Sequence, residues 1–398
     1  MKNTSRRILV ILTAIMLCLP LVQQHLKPFG FRPLSGVVKE PEKPELGWNS
    51  WCDHSVQTWA ESYLKLHYGL REPLTRLYNQ YLWDFYDMAN LRNKKWIYIS
   101  DDGWFYESPN MEEFYRGKAR YYSTDSLDMA NKLDAEALRI YHLQQLLEAH
   151  DVHLFVLLEP GKEQVYPEHV PVTSNYPGEK KISATAYYSK KFKELGVNHI
   201  DVGQWFLDIK DTVDYPLFPQ SGVHWSNLAA MHVADSLIRY MEQLGNKRLN
   251  HFTIGEKYLK TVKPDDDLEQ VLNLARPLKK TLPNYYADCT LEVDSTVDRP
   301  VLITIGDSFY WNIINCSPIG GIMGGIPYWY YYHTVYFDGE KHDLDPTKVK
   351  DKVLAADFVM LAFSTPQIYE MSKGFTQQLL DEFGYEDLHE PKPDNDGI

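Results

Sequence analysis

Three short apolar runs constrain the fold more than any other feature of this chain. Val152 to Leu158, Val301 to Ile305 and Phe358 to Phe363 each read as a buried strand. Between and around them lie segments of helical periodicity. Ala135 to His150 carries Ile140, Leu143, Leu146 and Leu147 on one side, and Ala184 to Leu195, Asn227 to Leu244 and Gln367 to Phe383 read as further helices. Trp96 to Ile99 and Val197 to Val202 are candidate strands. Strands that alternate with helices predict an α/β sandwich on a largely parallel sheet. In such sheets ligands sit beyond the carboxyl ends of the strands.

Ahead of this pattern stand two other regions. Lys2, Arg6 and Arg7 precede an apolar run from Ile8 to Val22. Basic residues before an apolar stretch keep the start of a chain in the cytoplasm and direct the remainder outward. The run is near the lower length for spanning a bilayer, so a signal peptide is the rival reading. No small-x-small cleavage site stands after Val22, which favours an uncleaved anchor over residues 1–22. Residues 23–47 read as a linker. A helical region is expected from Ser55 to Met88, with Gly69 ending one helix and Pro73 opening the next. The tail after Glu386, residues 386–398, is polar and Pro-bearing and is expected to be disordered.

The formal net charge of −13 excludes a nucleic-acid partner, which needs a concentrated basic surface. It also opposes adhesion to anionic lipid, so membrane attachment has to come from the inserted segment. Of the four cysteines, Cys18 lies in that segment, which leaves Cys52, Cys289 and Cys316 with at most one bridge. Their spacing matches no metal pattern, and no metal or other cofactor is expected.

Chemistry enters where the second apolar run meets Gly306-Asp307-Ser308. Gly306 permits a tight turn, and Ser308 falls at the carboxyl edge of the sheet, where backbone N–H groups can hold an oxyanion. Helix capping by Asp307 or Ser308 is the plainer reading. A serine nucleophile needs a base. His224, in the loop ahead of the Asn227 helix and next to Trp225, is the best placed of 14 histidines, with Ser226 as the N-cap of that helix. Lys162, just after the first run, is expected at the active edge of the sheet, in contact with substrate or in a surface ion pair. Tyr310, Trp311 and the Tyr328–Tyr332 run come after Ser308 and read either as a sugar-stacking platform or as packing.

Taken in order, several stretches resemble the alginate O-acetyltransferase family of SGNH-hydrolase-like proteins, the AlgJ/AlgX type. They are Tyr63 to Arg71, Ser100-Asp101-Asp102-Gly103-Trp104-Phe105-Tyr106, Pro160 to Pro171, His224-Trp225-Ser226 and Gly306-Asp307-Ser308-Phe309. The resemblance implies an SGNH-hydrolase-like three-layer α/β sandwich with a mostly parallel central sheet over residues 48–385. It implies transfer of acetyl groups to an exported polysaccharide acceptor, with a multipass membrane acyltransferase as donor, outside the cytoplasm. Ser308 would carry the acetyl ester, His224 would act as general base, and the Ser308 N–H would join the oxyanion hole. Two further readings stay open, a carbohydrate esterase and a catalytically silent scaffold of polysaccharide export. The scaffold is favoured by one departure: where the family has Asp-x-His, this chain has Gly222-Val223-His224. Asp307 is expected to point away from the imidazole. Substitutes for the missing carboxylate are Asp201, Asp208, Asp211 and Asp214, or a backbone carbonyl.

Overall fold

A computed structural model describes residues 2–36, 39–86, 96–116, 126–172, 183–262, 265–279 and 282–385. The chain divides into two compact units, Met1–Lys95 with Leu268–Lys279, and Trp96–Asp267 with Lys280–Ile398. The first unit is helical: α1 (Lys2–Leu26), α2 (Trp48–Cys52), α3 (Ser55–His67) and α4 (Arg71–Tyr86). The break at Tyr68 to Leu70 and the place of Pro73 in the first turn of α4 agree with the sequence expectation. The proposed extension to Met88 and the tail 386–398 lie outside the described residues. On length and composition, Arg6–Leu26 is able to cross a membrane.

The second unit opens with a hairpin of β1 (Ile97–Ile99) and β2 (Phe105–Glu107). The helices α5 (Ser108–Arg116) and α6 (Ser126–Glu148) come next, then β3 (His153–Glu159) and the short α7 (Lys162–Val165). After these stand α8 (Ala184–Leu195), β4 (His199–Asp201), α9 (Val202–Ile209) and α10 (Asn227–Gly245). Between α10 and the next long strand lie β5 (Phe252–Ile254), β6 (Tyr258–Leu259), β7 (Tyr285–Tyr286) and β8 (Cys289–Leu291), together with α11 (Asp267–Val271), whose residues after Asp267 belong to the first unit. The chain then forms β9 (Leu302–Gly306), α12 (Tyr310–Cys316) and α13 (Ile319–Ile322). It ends with β10 (Tyr328–Tyr330), β11 (Thr334–Phe337), β12 (Glu340–Asp343), α14 (Val349–Leu354), β13 (Phe358–Ser364) and α15 (Phe375–Glu382).

The central sheet has seven strands in the order β12-β11-β10-β9-β13-β3-β4. From β10 to β4 every pairing is parallel, and β11 and β12 add an antiparallel edge. The apolar runs are continuous because both faces of the sheet are covered. Along β13, Phe358, Met360 and Ala362 enter the core beside α10 and α12, while Val359, Leu361 and Phe363 enter the core beside α6, α8 and α15. Side chains of a strand alternate between faces, so one run feeds two cores. The strands β3, β9 and β13 therefore end side by side, and the residues after them share one edge.

Three local expectations need correction. Trp96 to Ile99 does form a strand, but it pairs only with β2 and not with the central sheet. The last helix does not run unbroken from Gln367 to Phe383. A 3₁₀ segment, Thr365–Glu370, precedes α15, and the chain turns between them through Lys373 and Gly374 at φ 51° and 89°. Gly306 is not there for a turn: it closes β9, and a Cβ on it would stand 2.5 Å from the Ala362 carbonyl oxygen of β13. The glycine lets the two strands approach.

Candidate active site

The sheet brings Ser308 within hydrogen-bond reach of His224. Ser308 lies just past the β9 end, and its Oγ is 2.8 Å from His224 Nε2. His224 belongs to the loop ahead of α10, whose first turn is capped by Ser226 through the Ala229 N–H. On the other side of the ring, Nδ1 lies 2.6 Å from Oδ2 of Asp267, the first residue of α11. Asp267 Oδ1 accepts the Val223 N–H at 2.9 Å, so one carboxylate fixes both the loop and the imidazole. Phe309 covers the ring at 4.8 Å between centroids. Burial pulls the His224 imidazolium down, but the hydrogen bond and charge of Asp267, with Asp307 and Glu107, outweigh it and hold the pKa above the ordinary value.

The carboxylate partner is therefore none of the four upstream candidates. Asp201 caps α9 through the Gln204 N–H, Asp208 accepts from Gln204 Nε2, Asp214 pairs with Lys257, and Asp211 is exposed. Nothing local marks Asp267, which stands 43 positions after His224. In the sequence it is simply the last of three consecutive aspartates, Asp265, Asp266 and Asp267.

Asp307 does point away from the imidazole. Its Oδ2 accepts the Ser364 N–H at 2.8 Å and hydroxyl at 2.5 Å, and its Oδ1 accepts the Phe309 N–H at 3.0 Å. Burial raises its pKa against those hydrogen bonds. This buried acid ties the turn after β9 to the end of β13, and so fixes the position of Ser308. The Ser308 N–H itself has no hydrogen-bond partner among the described residues, which leaves it available to an oxyanion.

Lys162 is buried rather than held in a surface ion pair, and it does not line the cleft beside Ser308. It is 1% exposed, and its Nζ donates to the carbonyls of Pro219, Gln220 and Gly222 at 3.1, 3.1 and 2.6 Å. The rings of Trp104 and Tyr106 flank it at 5.5 and 5.3 Å. Burial pulls its pKa down to about 7 against the charges of Asp267, Glu163 and Glu107. Gln220 adds two bonds, from its side chain to the Asp102 carbonyl and from the Phe105 N–H to its own carbonyl. The stretches Ser100–Tyr106 and Pro160–Pro171 thus serve one purpose, a scaffold under the loop that carries His224.

A cleft of about 420 Å³ opens beside Ser308, lined by Trp96, Glu107, Asn110, Tyr331, Gln367 and Lys373 among others. Tyr310 does not reach it: the residue is fully buried, with its ring against Tyr328. Trp311 packs edge-on against Tyr328 and Tyr336, both at 4.9 Å, and lies outside the cleft lining. Of the aromatic run, Tyr331 alone lines the cleft.

The family model described as SGNH hydrolase-like domain, acetyltransferase AlgX, matches residues 97–304, just over half of the chain. The chain belongs to this SGNH hydrolase-like, AlgX-type family. The match ends shortly before Ser308. No curated relative matches the sequence. Among solved structures, this AlgX-type chain is similar to the O-acetyltransferase domain of Pseudomonas putida AlgJ, at 13% identity and a TM-score of 0.42, over 72% of this chain and 99% of that one. It is similar to Pseudomonas aeruginosa AlgX at 12% identity and 0.43, over 71% and 68%. It is also similar to Bacillus cereus PatB1, at 11% identity and 0.42, over 70% and 100%. The family assignment and the observed three-layer α/β architecture agree with the resemblance read from the sequence.

Proposed function

We propose that this AlgX-type chain is a serine-dependent O-acetyltransferase that modifies an exported polysaccharide. The observation that carries the reading is the unbroken chain of hydrogen bonds from Asp267 through His224 to Ser308. With Nδ1 donating to Asp267, Nε2 has its lone pair toward the Ser308 hydroxyl and can take its proton. Ser308 Oγ then attacks the acetyl carbonyl of the donor, and the Ser308 N–H faces the developing oxyanion. The donor's leaving group departs with the proton from His224, and an acetyl ester remains on Ser308. In the second half His224 takes the proton from an acceptor hydroxyl, which attacks the ester carbonyl, and gives it to Ser308 Oγ as the serine–acyl bond breaks. The family description, an acetyltransferase, supports transfer as the overall reaction.

A catalytically silent scaffold was favoured only by the glycine at position 222. Asp267 now stands where the missing carboxylate would act, which supports an active enzyme. The apolar Arg6–Leu26 segment is long enough for a membrane anchor with the rest of the chain outside the cytoplasm, and the lack of a small-x-small site after Val22 favours an uncleaved one. A multipass membrane acyltransferase would then supply the acetyl group at that surface.

The test is mass spectrometry of the full chain after incubation with an activated acetyl ester. An added acetyl group on the peptide containing Ser308 is expected for the parent chain, and none for Ser308→Ala. His224→Ala is expected to acylate far more slowly. An adduct that forms equally fast on Ser308→Ala would refute the assignment of the nucleophile.

A further inference from the structure

The first compact unit carries an apolar surface that is turned outward. On α4, Leu74, Leu77, Tyr78, Tyr81 and Phe85 recur at the spacing of one helical face and are 49–73% exposed. On the opposite face of the same helix Asn79 and Gln80 are buried. Asn79 donates to the Leu272 carbonyl at 2.7 Å, and Gln80 accepts the Arg276 N–H at 3.0 Å. A helix on a water-soluble body has the reverse pattern, with its apolar stripe inside. The neighbouring α2 repeats the theme, with Trp48 and Trp51 at 80% and 57% exposure. A contiguous exposed patch of this kind marks a surface that meets something else.

Three observations within this unit identify the occupant. The unit contains α1, whose Arg6–Leu26 stretch has the length and hydropathy of a membrane span and is itself mostly uncovered. The turn between α3 and α4 rests on the carboxyl end of that span: a Cβ on Gly69 would collide with the Pro20 carbonyl and the Gln24 N–H. The stripe is rich in Tyr and accompanied by Trp, the side chains that settle at the headgroup level of a bilayer. We propose that α4, together with α2, lies in the interface of the bilayer that α1 spans, with the Leu74–Phe85 stripe sunk into the acyl boundary. Attachment of this kind relies on apolar burial rather than charge. It is therefore compatible with a chain of net charge −13, and it requires no anionic lipid. The inference takes α1 as a membrane anchor, as proposed above, and does not depend on the chemistry at Ser308.

The test uses the full chain in bilayers of zwitterionic phospholipid. Single spin labels are attached through Leu77→Cys, Tyr78→Cys and, as a reference in the span, Leu17→Cys, with the four native cysteines replaced. Collision with dissolved oxygen is compared with collision with a water-soluble nickel chelate. At positions 77 and 78 oxygen is expected to dominate, as at position 17. Labels at 77 and 78 that meet mainly the nickel chelate, while position 17 meets oxygen, overturn the proposal and leave the anchor intact. If position 17 also meets the chelate, the anchor reading falls with it. Protection of positions 77 and 78 in native membranes but not in pure lipid means that a protein covers the stripe, and it overturns the lipid assignment. A second arm keeps the native cysteines: quenching of tryptophan fluorescence by brominated lipid is expected for the parent chain and is expected to drop in the Trp48→Phe, Trp51→Phe variant. Unchanged quenching in that variant counts against the placement of α2.

Discussion

Replacing Asp267 with Asn preserves the shape of the side chain and reverses one hydrogen bond. In the parent chain Oδ1 accepts the Val223 N–H at 2.9 Å, and Oδ2 faces His224 Nδ1 at 2.6 Å. An amide that keeps its oxygen on Val223 must direct its NH₂ group at Nδ1. The imidazole can meet that donor only by carrying its proton on Nε2. Nε2 then donates toward Ser308 Oγ, 2.8 Å away, instead of accepting from it, and the base is lost. Loss of tautomer control in a serine triad lowers the rate about 10⁴-fold. At 1.36 kcal/mol per decade, that is about 5 kcal/mol of transition-state stabilisation. The assay is turnover of a chromogenic acetyl ester as a function of pH. His224 is held above the ordinary imidazole value chiefly by Asp267 against the pull of burial, and it must be neutral to act. The acid limb of kcat/KM in the parent chain should therefore lie above the ordinary value and shift to lower pH in Asp267→Asn. A variant that retains more than about a tenth of parent activity, with an unmoved limb, would refute the role given to Asp267.

Two further outcomes are expected from buried groups. Lys162→Met removes the donor from three buried carbonyls, each worth about 1–3 kcal/mol when left unsatisfied, and also removes the desolvation penalty of a buried cation. A net destabilisation of about 2–4 kcal/mol is expected in thermal or urea unfolding, with kcat falling more than KM rises because the His224 loop loosens. Parent-like stability and kcat would show that Lys162 does not hold the loop. Glu113 is buried, and burial pushes its carboxyl up to about 7 despite hydrogen bonds from Tyr369 and the Ala184 N–H. The folded chain keeps a proton that the unfolded chain releases near pH 4.5, so this stability is complete below that value and is lost as pH rises through about 7. Urea unfolding should show stability falling between pH 5 and pH 8 by about 3 kcal/mol from this group, and Glu113→Gln should flatten that slope. Equal slopes in the two chains would dismiss Glu113 as their source.

Local pattern carries much of this molecule. The runs at Val152, Val301 and Phe358 are apolar because strands covered on both faces must be, and their alternation with helices was enough to imply the α/β layers. Ser308 was legible because it stands directly after such a strand, and His224 because its loop precedes a helix with a clear N-cap. Ser100–Tyr106 and Pro160–Pro171 were recognisable as patterns while their task was not, since that task is to hold a third segment distant in sequence. The antiparallel edge of β11 and β12 also escaped notice, because β11 is only four residues long and β12, Glu340–Asp343, is polar and exposed throughout, so neither has a strong periodic signal.

The chain's own order of residues determined the layers of the fold, the position of the serine and the identity of the histidine, all of which depend on neighbours a few positions apart. Tertiary structure alone decided that Asp267 completes the hydrogen-bonded chain, that Lys162 turns inward to grip carbonyls, and that Tyr310 is buried rather than facing the cleft. Each of these depends on a contact between distant segments. A carboxylate, an ammonium or a phenol has no period of its own, so its partner is set by how the packed elements bring surfaces together.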